Sequence, residues 1–150
     1  MSDLKAALRV FKDYQRAGIN FYDITTLLKS AEHRRTALAR FSNLFSHLQG
    51  DKVVGIETRG FLFAPTIARP IGAEFVPVCR AGKLPAKAKP ESCELEYGFA
   101  EMEIHRDAIH CEVEAFLIID NVLATGGTDR AAAQLVETLG GRVVGYECVL

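Results

Sequence analysis

Three short apolar runs alternate along this chain with stretches of helical periodicity, and that alternation limits the fold to a small class. Val53 to Glu57 (VVGIE), Glu74 to Cys79 (EFVPVC) and Phe116 to Asp120 (FLIID) are nearly continuous in apolar residues. Runs without a polar alternate face belong to strands covered on both sides. Between them, Ala37, Leu38, Phe41, Leu44, Phe45 and Leu48 recur every three or four positions, which predicts an amphipathic helix from Glu32 to Leu48. A second helical stretch runs from Gly60 towards Ile67 and is closed by Pro70 and Gly72, and a third runs from Asp129 to Leu139 and ends at Gly140-Gly141. RVVGYECVL reads as a last strand. Strands alternating with helices predict an α/β fold with a doubly wound, mostly parallel sheet.

The remaining segments are less regular. Ser2 followed by Leu4, Leu8 and Phe11 predicts a short amphipathic helix over residues 3–14. Gly18 breaks that pattern and leaves Phe21 and Tyr22 on a loop. CELEY and MEIHR suit a hairpin around Gly98. Before it, the segment from Arg80 to about Pro90 carries two prolines and four basic residues, and a loop of that length is usually functional or mobile.

The 150 residues suit one domain, and 49% hydrophobic content suffices for one core. A net charge of -1 gives no global reason to expect nucleic acid or an anionic membrane as partner. The four cysteines form no CxxC pair, so they read as reduced thiols, and His33, His47, His105 and His110 lack the spacing of a metal site or triad. They are expected at the surface or satisfied by hydrogen bonds, and Arg34-Arg35 on a solvated helix face. No signal-like segment opens the chain and no apolar run would span a bilayer, which predicts a cytoplasmic protein.

Ligands of open α/β sheets bind beyond the carboxyl ends of the strands. Three strand ends carry signals here: Glu57-Thr58-Arg59-Gly60, Arg80-Ala81-Gly82-Lys83, and Asp120 through Thr128. In the last, Ala124, Thr125, Gly126, Gly127 and Thr128 lie just before a helix, where backbone N–H groups, hydroxyls and the helix dipole can converge on an anion. A plain strand–turn–helix junction would account for TGGT alone. Asp120, directly after four apolar residues, favours a site, because a carboxylate at a strand tip can bind sugar hydroxyls. Neither GxxxxGK[ST] nor GxGxxG occurs, which argues against a P-loop or a dinucleotide fold.

IIDNVLATGGT resembles the phosphoribosyl pyrophosphate (PRPP) motif of the type I phosphoribosyltransferases, and LATGGT with GIETRGFLF, AGKLP and LEYG is similar to their adenine-specific branch. The resemblance runs from about Gly18 to the C-terminus, with the blocks in family order. It implies the type I fold with a mobile hood loop, and transfer of the 5-phosphoribosyl group of PRPP to N9 of adenine, giving AMP and pyrophosphate in purine salvage. Mg²⁺ would enter with PRPP, with no direct protein ligand assigned. By resemblance, Ala124 to Thr128 hold the 5-phosphate, Asp120 and Asn121 face the ribose, and Arg59, Arg80 and Lys83 hold pyrophosphate. Glu96 would assist proton handling at the purine, Tyr97 would help close the site, and Phe21, with Tyr22 beside it, would meet adenine. Asp120, Arg59 and Glu96 are thus the candidate catalytic residues. The family also implies a homodimer.

Several positions depart from the family pattern. Asn121 replaces the second of two adjacent acids, Cys79 stands where an arginine is common, Tyr22 where a basic residue is common, and Gln15-Arg16-Ala17 replaces a proline-containing lead. Residues 1–150 read as a single domain that ends some tens of residues before the family pattern does. These departures leave a second reading open, a catalytically impaired homologue that binds PRPP or AMP as a sensor or partner subunit.

Overall fold

The computed structural model describes residues 4–14, 18, 20–45, 47, 48, 50–85, 87–95, 98–110, 114–121 and 126–148, with the backbone alone at 44, 91–95 and 98–100. The three apolar runs form neighbouring parallel strands: β3 (Lys52–Ile56), β4 (Glu74–Arg80) and β7 (Ala115–Asp120). With β8 (Arg142–Cys148) parallel to β7, and the antiparallel hairpin β5 (Ala88–Leu95) and β6 (Gly98–His105), they make a six-stranded sheet of order β5-β6-β4-β3-β7-β8. The sheet is therefore mostly parallel with an antiparallel edge, as the alternation of strands and helices predicts.

Every residue of β3 and β7 is buried, because helices cover both faces. Val53, Leu117 and Ile119 point to one face and pack with Phe41 and Phe45 of α2 (Ala31–Phe45) and with Ala64, Ile67 and Ala68 of α3 (Ala64–Ile71). Val54, Phe116 and Ile118 point to the other and pack with Ala131, Ala132, Leu135 and Val136 of α4 (Gly127–Thr138). The period-two alternation persists within these runs, but both of its faces are apolar. The helix expected from Glu32 to Leu48 stops at Phe45, and α3 continues through Pro70 to Ile71. β5 begins at Ala88, so the expected long loop after Arg80 is shorter than the sequence suggests.

The N-terminal expectation fails. In place of a helix over 3–14, residues 4–8 make turns, with Ala7 N donating to Leu4 O and Leu8 N to Lys5 O, both at 3.2 Å. The chain then extends as β1 (Arg9–Lys12), paired antiparallel with β2 (Asn20–Asp23), so Phe21 and Tyr22 lie on a strand and not on a loop. Leu4 and Leu8 do reach the core, beside Ile24 and Leu27. Phe11, the third residue of the supposed apolar stripe, is 40% exposed and faces Phe21 across the hairpin. A single turn serves the two leucines, and Val10 and Phe11 suit a strand once β2 offers a partner. A five-residue helix, α1 (Thr25–Lys29), leads from the hairpin into α2.

Candidate functional site

β3, β4 and β7 run parallel, so their carboxyl ends meet on one edge of the sheet. A cavity of about 450 Å³ opens there. Glu57, Thr58 and Arg59 enter it from the end of β3, Arg80 and Lys83 from the end of β4, and Asp120, Asn121 and Thr128 from the end of β7 and the start of α4. Met102 of β6 supplies an apolar wall. All three strand ends singled out by sequence thus contribute to one concavity of a size suited to a small polar ligand.

Each wall is held by local bonding. Glu57 N donates to Val78 O at 2.8 Å, and Glu57 Oε2 accepts from Arg80 N at 2.8 Å, which ties the β3 and β4 loops together. The Glu57–Thr58 peptide is cis. Arg59 is followed by Gly60, which opens a 3-10 turn (Gly60–Leu62); a Cβ on Gly60 would lie 2.7 Å from Ile119 O, so this loop approaches β7 as only glycine allows. The loop carrying Lys83 is clamped by the buried Glu103 of β6, whose Oε1 accepts from Lys83 N and Leu84 N at 2.8 Å each. The Leu84 N–H, foremost, and those of Gly82 and Lys83 hold this carboxyl below its ordinary range against the opposing effect of burial.

At the end of β7, Asp120 Oδ1 accepts the Asn121 backbone N–H at 2.7 Å. Burial dominates its titration and pushes the carboxyl up to about 7; Asp129 reinforces the rise, while the Asn121 N–H and Arg59 oppose it. With the Asn121 amide oriented so that both ends are satisfied, Nδ2 donates to Asp120 Oδ1 at 2.9 Å and Oδ1 accepts from Arg59 Nη1 at 3.3 Å. Gly126, in the left-handed conformation (φ 73°), precedes α4 with no side-chain cap, and Gly127 and Thr128 open its first turn. Its positive dipole end thus faces the cavity that Thr128 lines.

Arg59 also reaches the N-terminal hairpin. Its guanidinium carbon lies 5.4 Å from the centroid of the Phe21 ring, which also stands 4.9 Å from the Tyr14 ring. Tyr22 follows Phe21 along β2, so strand alternation sends its side chain to the other face of the hairpin. Ala124, Thr125, Glu96 and Tyr97 lie outside the described residues, as do Gln15-Arg16-Ala17. Cys79 is buried beside the site, and burial, with the carboxylates of Glu57 and Glu103, raises its thiol pKa. His33 and His105 are half-buried, His47 and His110 exposed, and Arg34 and Arg35 exposed as expected; the Nδ1 atom of His105 is itself buried and has no hydrogen-bond partner.

Glu57, Thr58 and Met102 line the cavity although the sequence reading assigns them no role, and Glu103 and Asp129 bear on it from outside the lining. Glu57 carries the same signal as Asp120, a first acid after an apolar strand. Glu103 sits in an alternating strand, where only the return of the Lys83 loop reveals its task. Asp129, in the first turn of α4, looks like a favourable helix-start acid, yet it is buried and its carboxyl is pushed up by that burial. Among the described residues, no group of three or more His, Cys, Asp or Glu gathers as a metal site, and no helix is long and apolar enough to cross a membrane.

The model of the phosphoribosyl transferase domain matches residues 24–150. The chain is 45% identical over 148 residues to the adenine phosphoribosyltransferase of Cyanothece sp., covering 99% of this chain and 86% of that protein. The solved adenine phosphoribosyltransferase of Thermoanaerobacter pseudethanolicus superposes with a TM-score of 0.90 at 40% identity, covering 97% of this chain and 84% of that one. The Saccharomyces cerevisiae enzyme, solved with an iminoaltritol bisphosphate and adenine, superposes with a TM-score of 0.86 at 35% identity, over 97% of this chain and 84% of that one.

Proposed function

The chain belongs to the adenine phosphoribosyltransferases of the phosphoribosyltransferase family, and from that membership we propose that it transfers the 5-phosphoribosyl group of PRPP to N9 of adenine, giving AMP and pyrophosphate. The observation that carries this reading is the gathering of Arg59, Arg80 and Lys83 around one cavity with Asp120, Asn121 and Thr128. Three cations and the start of a helix thus line one cavity, which suits a ligand that carries more than one phosphate group. PRPP has that form.

In this reading the 5-phosphate sits on the first turn of α4, held by residues 124–128, and the ribose hydroxyls meet Asp120 and Asn121. The pyrophosphate lies among Arg59, Arg80 and Lys83, whose fixed charge stabilises it as it leaves. Mg²⁺ would enter with PRPP, keeping water and phosphate oxygens as its ligands, as it commonly does. When bound, Mg²⁺ would neutralise part of the charge on the leaving group. Phe21 stacks on adenine, Glu96 handles the purine proton, and Tyr97 helps exclude water from the reacting centre. Support for the base assignment comes from the yeast relative, which was solved with adenine. We infer a cytoplasmic homodimer as well, as the family resemblance implies.

The test is to incubate the protein with PRPP, Mg²⁺ and a panel of purine and pyrimidine bases while following pyrophosphate release. Formation of AMP from adenine, with the other bases inert, is the expected result. PRPP affinity by calorimetry without turnover on any base would instead assign the chain to the impaired, ligand-sensing class.

A further inference from the structure

Position 121 carries an amide where the family pattern has a second acid, and the geometry gives that amide a task a carboxylate cannot perform. Its Nδ2 donates to Asp120 Oδ1 at 2.9 Å and its Oδ1 accepts from Arg59 Nη1 at 3.3 Å. The opposite orientation would set its oxygen against the Asp120 carboxylate and its NH₂ against the guanidinium. Arg59 in turn lies over the Phe21 ring, 5.4 Å from its centroid. A continuous chain of contacts therefore runs from Asp120 in the cavity wall through Asn121 and Arg59 to Phe21, which lies outside the cavity lining and is the residue assigned to adenine in the reading above.

We propose that Asn121 is a positioning residue for Arg59: anchored on Asp120, its amide fixes the guanidinium between the pyrophosphate end of the cavity and Phe21, so that one side chain couples the PRPP and base subsites. This rests on the transferase reading above. The charged groups around Arg59 fit the assignment. Asp23 of β2 feels its positive charge from the hairpin side and Asp120 from the sheet side. Asn121 selects among the positions these carboxylates would allow, because a neutral acceptor fixes direction without adding a third negative charge. A carboxylate at position 121 could still accept from Arg59. It could not donate to Asp120, and it would place a second charge beside a carboxyl that burial and Asp129 already disfavour as an anion.

The consequence is visible at the far end of the site. If Asn121 only touched ribose, its loss would weaken PRPP alone. If it only stabilised the fold, its loss would lower Tm and leave both KM values in place. As the holder of Arg59 it must affect both substrates, and its effect must vanish when Arg59 is gone.

The experiment is a double-mutant cycle on the full chain, Asn121→Leu and Arg59→Leu singly and together, with KM for PRPP and for adenine, kcat, and calorimetric PRPP affinity. Asn121→Leu is expected to raise both KM values about tenfold, the scale of a lost hydrogen bond to a charged group. In the Arg59→Leu background it should change either by less than about twofold. Asn121→Ser, too short to reach the guanidinium, should reproduce Asn121→Leu and serves if the leucine variant does not fold. An adenine KM unmoved by Asn121→Leu, or additive effects in the cycle, overturns the proposal. So does Asn121→Asp if it speeds turnover about tenfold or more with both KM values unchanged, since the missing charge would then be what position 121 lacks. The parent protein is assayed first. Failure of the parent to form AMP sinks the transferase reading, and the cycle is then decided on PRPP affinity alone, where coupling between the two substitutions stands or falls independently.

Discussion

Asp120 combines a buried carboxyl with a position at the mouth of the ligand cavity, and the two demands oppose each other. Burial raises its pKa from the ordinary carboxylate value of 3.8 to about 7. The folded state therefore holds a proton that the unfolded chain releases near pH 4. The contribution of Asp120 to the stability of the ligand-free protein falls as pH rises from about 4 to 7 and levels off above that. At about 1.4 kcal/mol per unit, the ionised form costs the fold on the order of 4 kcal/mol. Asp120→Asn keeps an oxygen that can accept the Asn121 N–H and removes the ionisation. Urea denaturation should show the variant more stable than its parent at pH 8, the two alike near pH 4, and a residual slope in the same direction from Asp129, whose carboxyl burial also raises. Equal stabilities at pH 8 would show that Asp120 ionises freely. The position of Asp120 is legible in the sequence, since it is the first polar residue after an apolar strand. Its elevated pKa is not, because the burial that chiefly raises it depends on packing by other parts of the chain.

At the scale of elements, the site depends on how closely the loop after β3 approaches the end of β7. The approach is set at Gly60, where an added Cβ would meet the backbone oxygen of Ile119 at 2.7 Å. A backbone atom at the end of a fully buried strand cannot move aside cheaply. Gly60→Ala should therefore push the 3-10 turn outward and carry the adjacent Arg59 with it. The expected cost is about 1–3 kcal/mol of stability by overpacking, seen as a lower urea midpoint, together with a raised KM for PRPP. A normal KM in a destabilised variant would uncouple Arg59 from the turn. Elements of this kind differ in how far sequence reveals them. The buried strands were plain, because continuous apolar runs bounded by polar or glycine residues have few other uses. The N-terminal hairpin was not. Leu4, Leu8 and Phe11 imitate a helical stripe, and only the partner strand carrying Phe21, ten residues beyond Phe11 in sequence and directly across in register, shows that the chain is extended there. Tertiary pairing overrode local periodicity.

Over the whole molecule, the parallel sheet separates two kinds of polar cluster. The carboxyl ends of the strands hold the cavity with Arg59, Arg80, Lys83 and Asp120. The amino ends hold a different arrangement around Lys52, the first residue of β3, which is 2% exposed. Its Nζ donates to Ala108 O at 2.7 Å and lies 3.3 Å from Glu114 Oε2 and 3.0 Å from Glu74 Oε2. Beside it, Asp51 Oδ2 accepts from Ala115 N at 2.8 Å, and Asp51 O accepts from Glu74 N at 2.9 Å. These bonds tie the starts of β3, β4 and β7 together, at the opposite end of the sheet from the ligand. A cluster so placed can hold the strand ends in register but cannot reach the substrate. Lys52→Met keeps the apolar stem and removes the ammonium, leaving Ala108 O and the half-buried Glu114 without that partner. Loss of a buried ionic partner typically costs 3–5 kcal/mol, but Glu74 is largely exposed and Glu114 can rehydrate, so about 2 kcal/mol is expected here. In a chain of this size that lowers Tm by roughly 4–8 °C. Both KM values and kcat at a temperature well below the transition should stay within about twofold of the parent. Thermal denaturation and steady-state kinetics on the same preparation decide it: a shifted KM with an unchanged Tm would mean that the amino end of the sheet communicates with the site, and that the strands do not divide folding from chemistry as their geometry indicates.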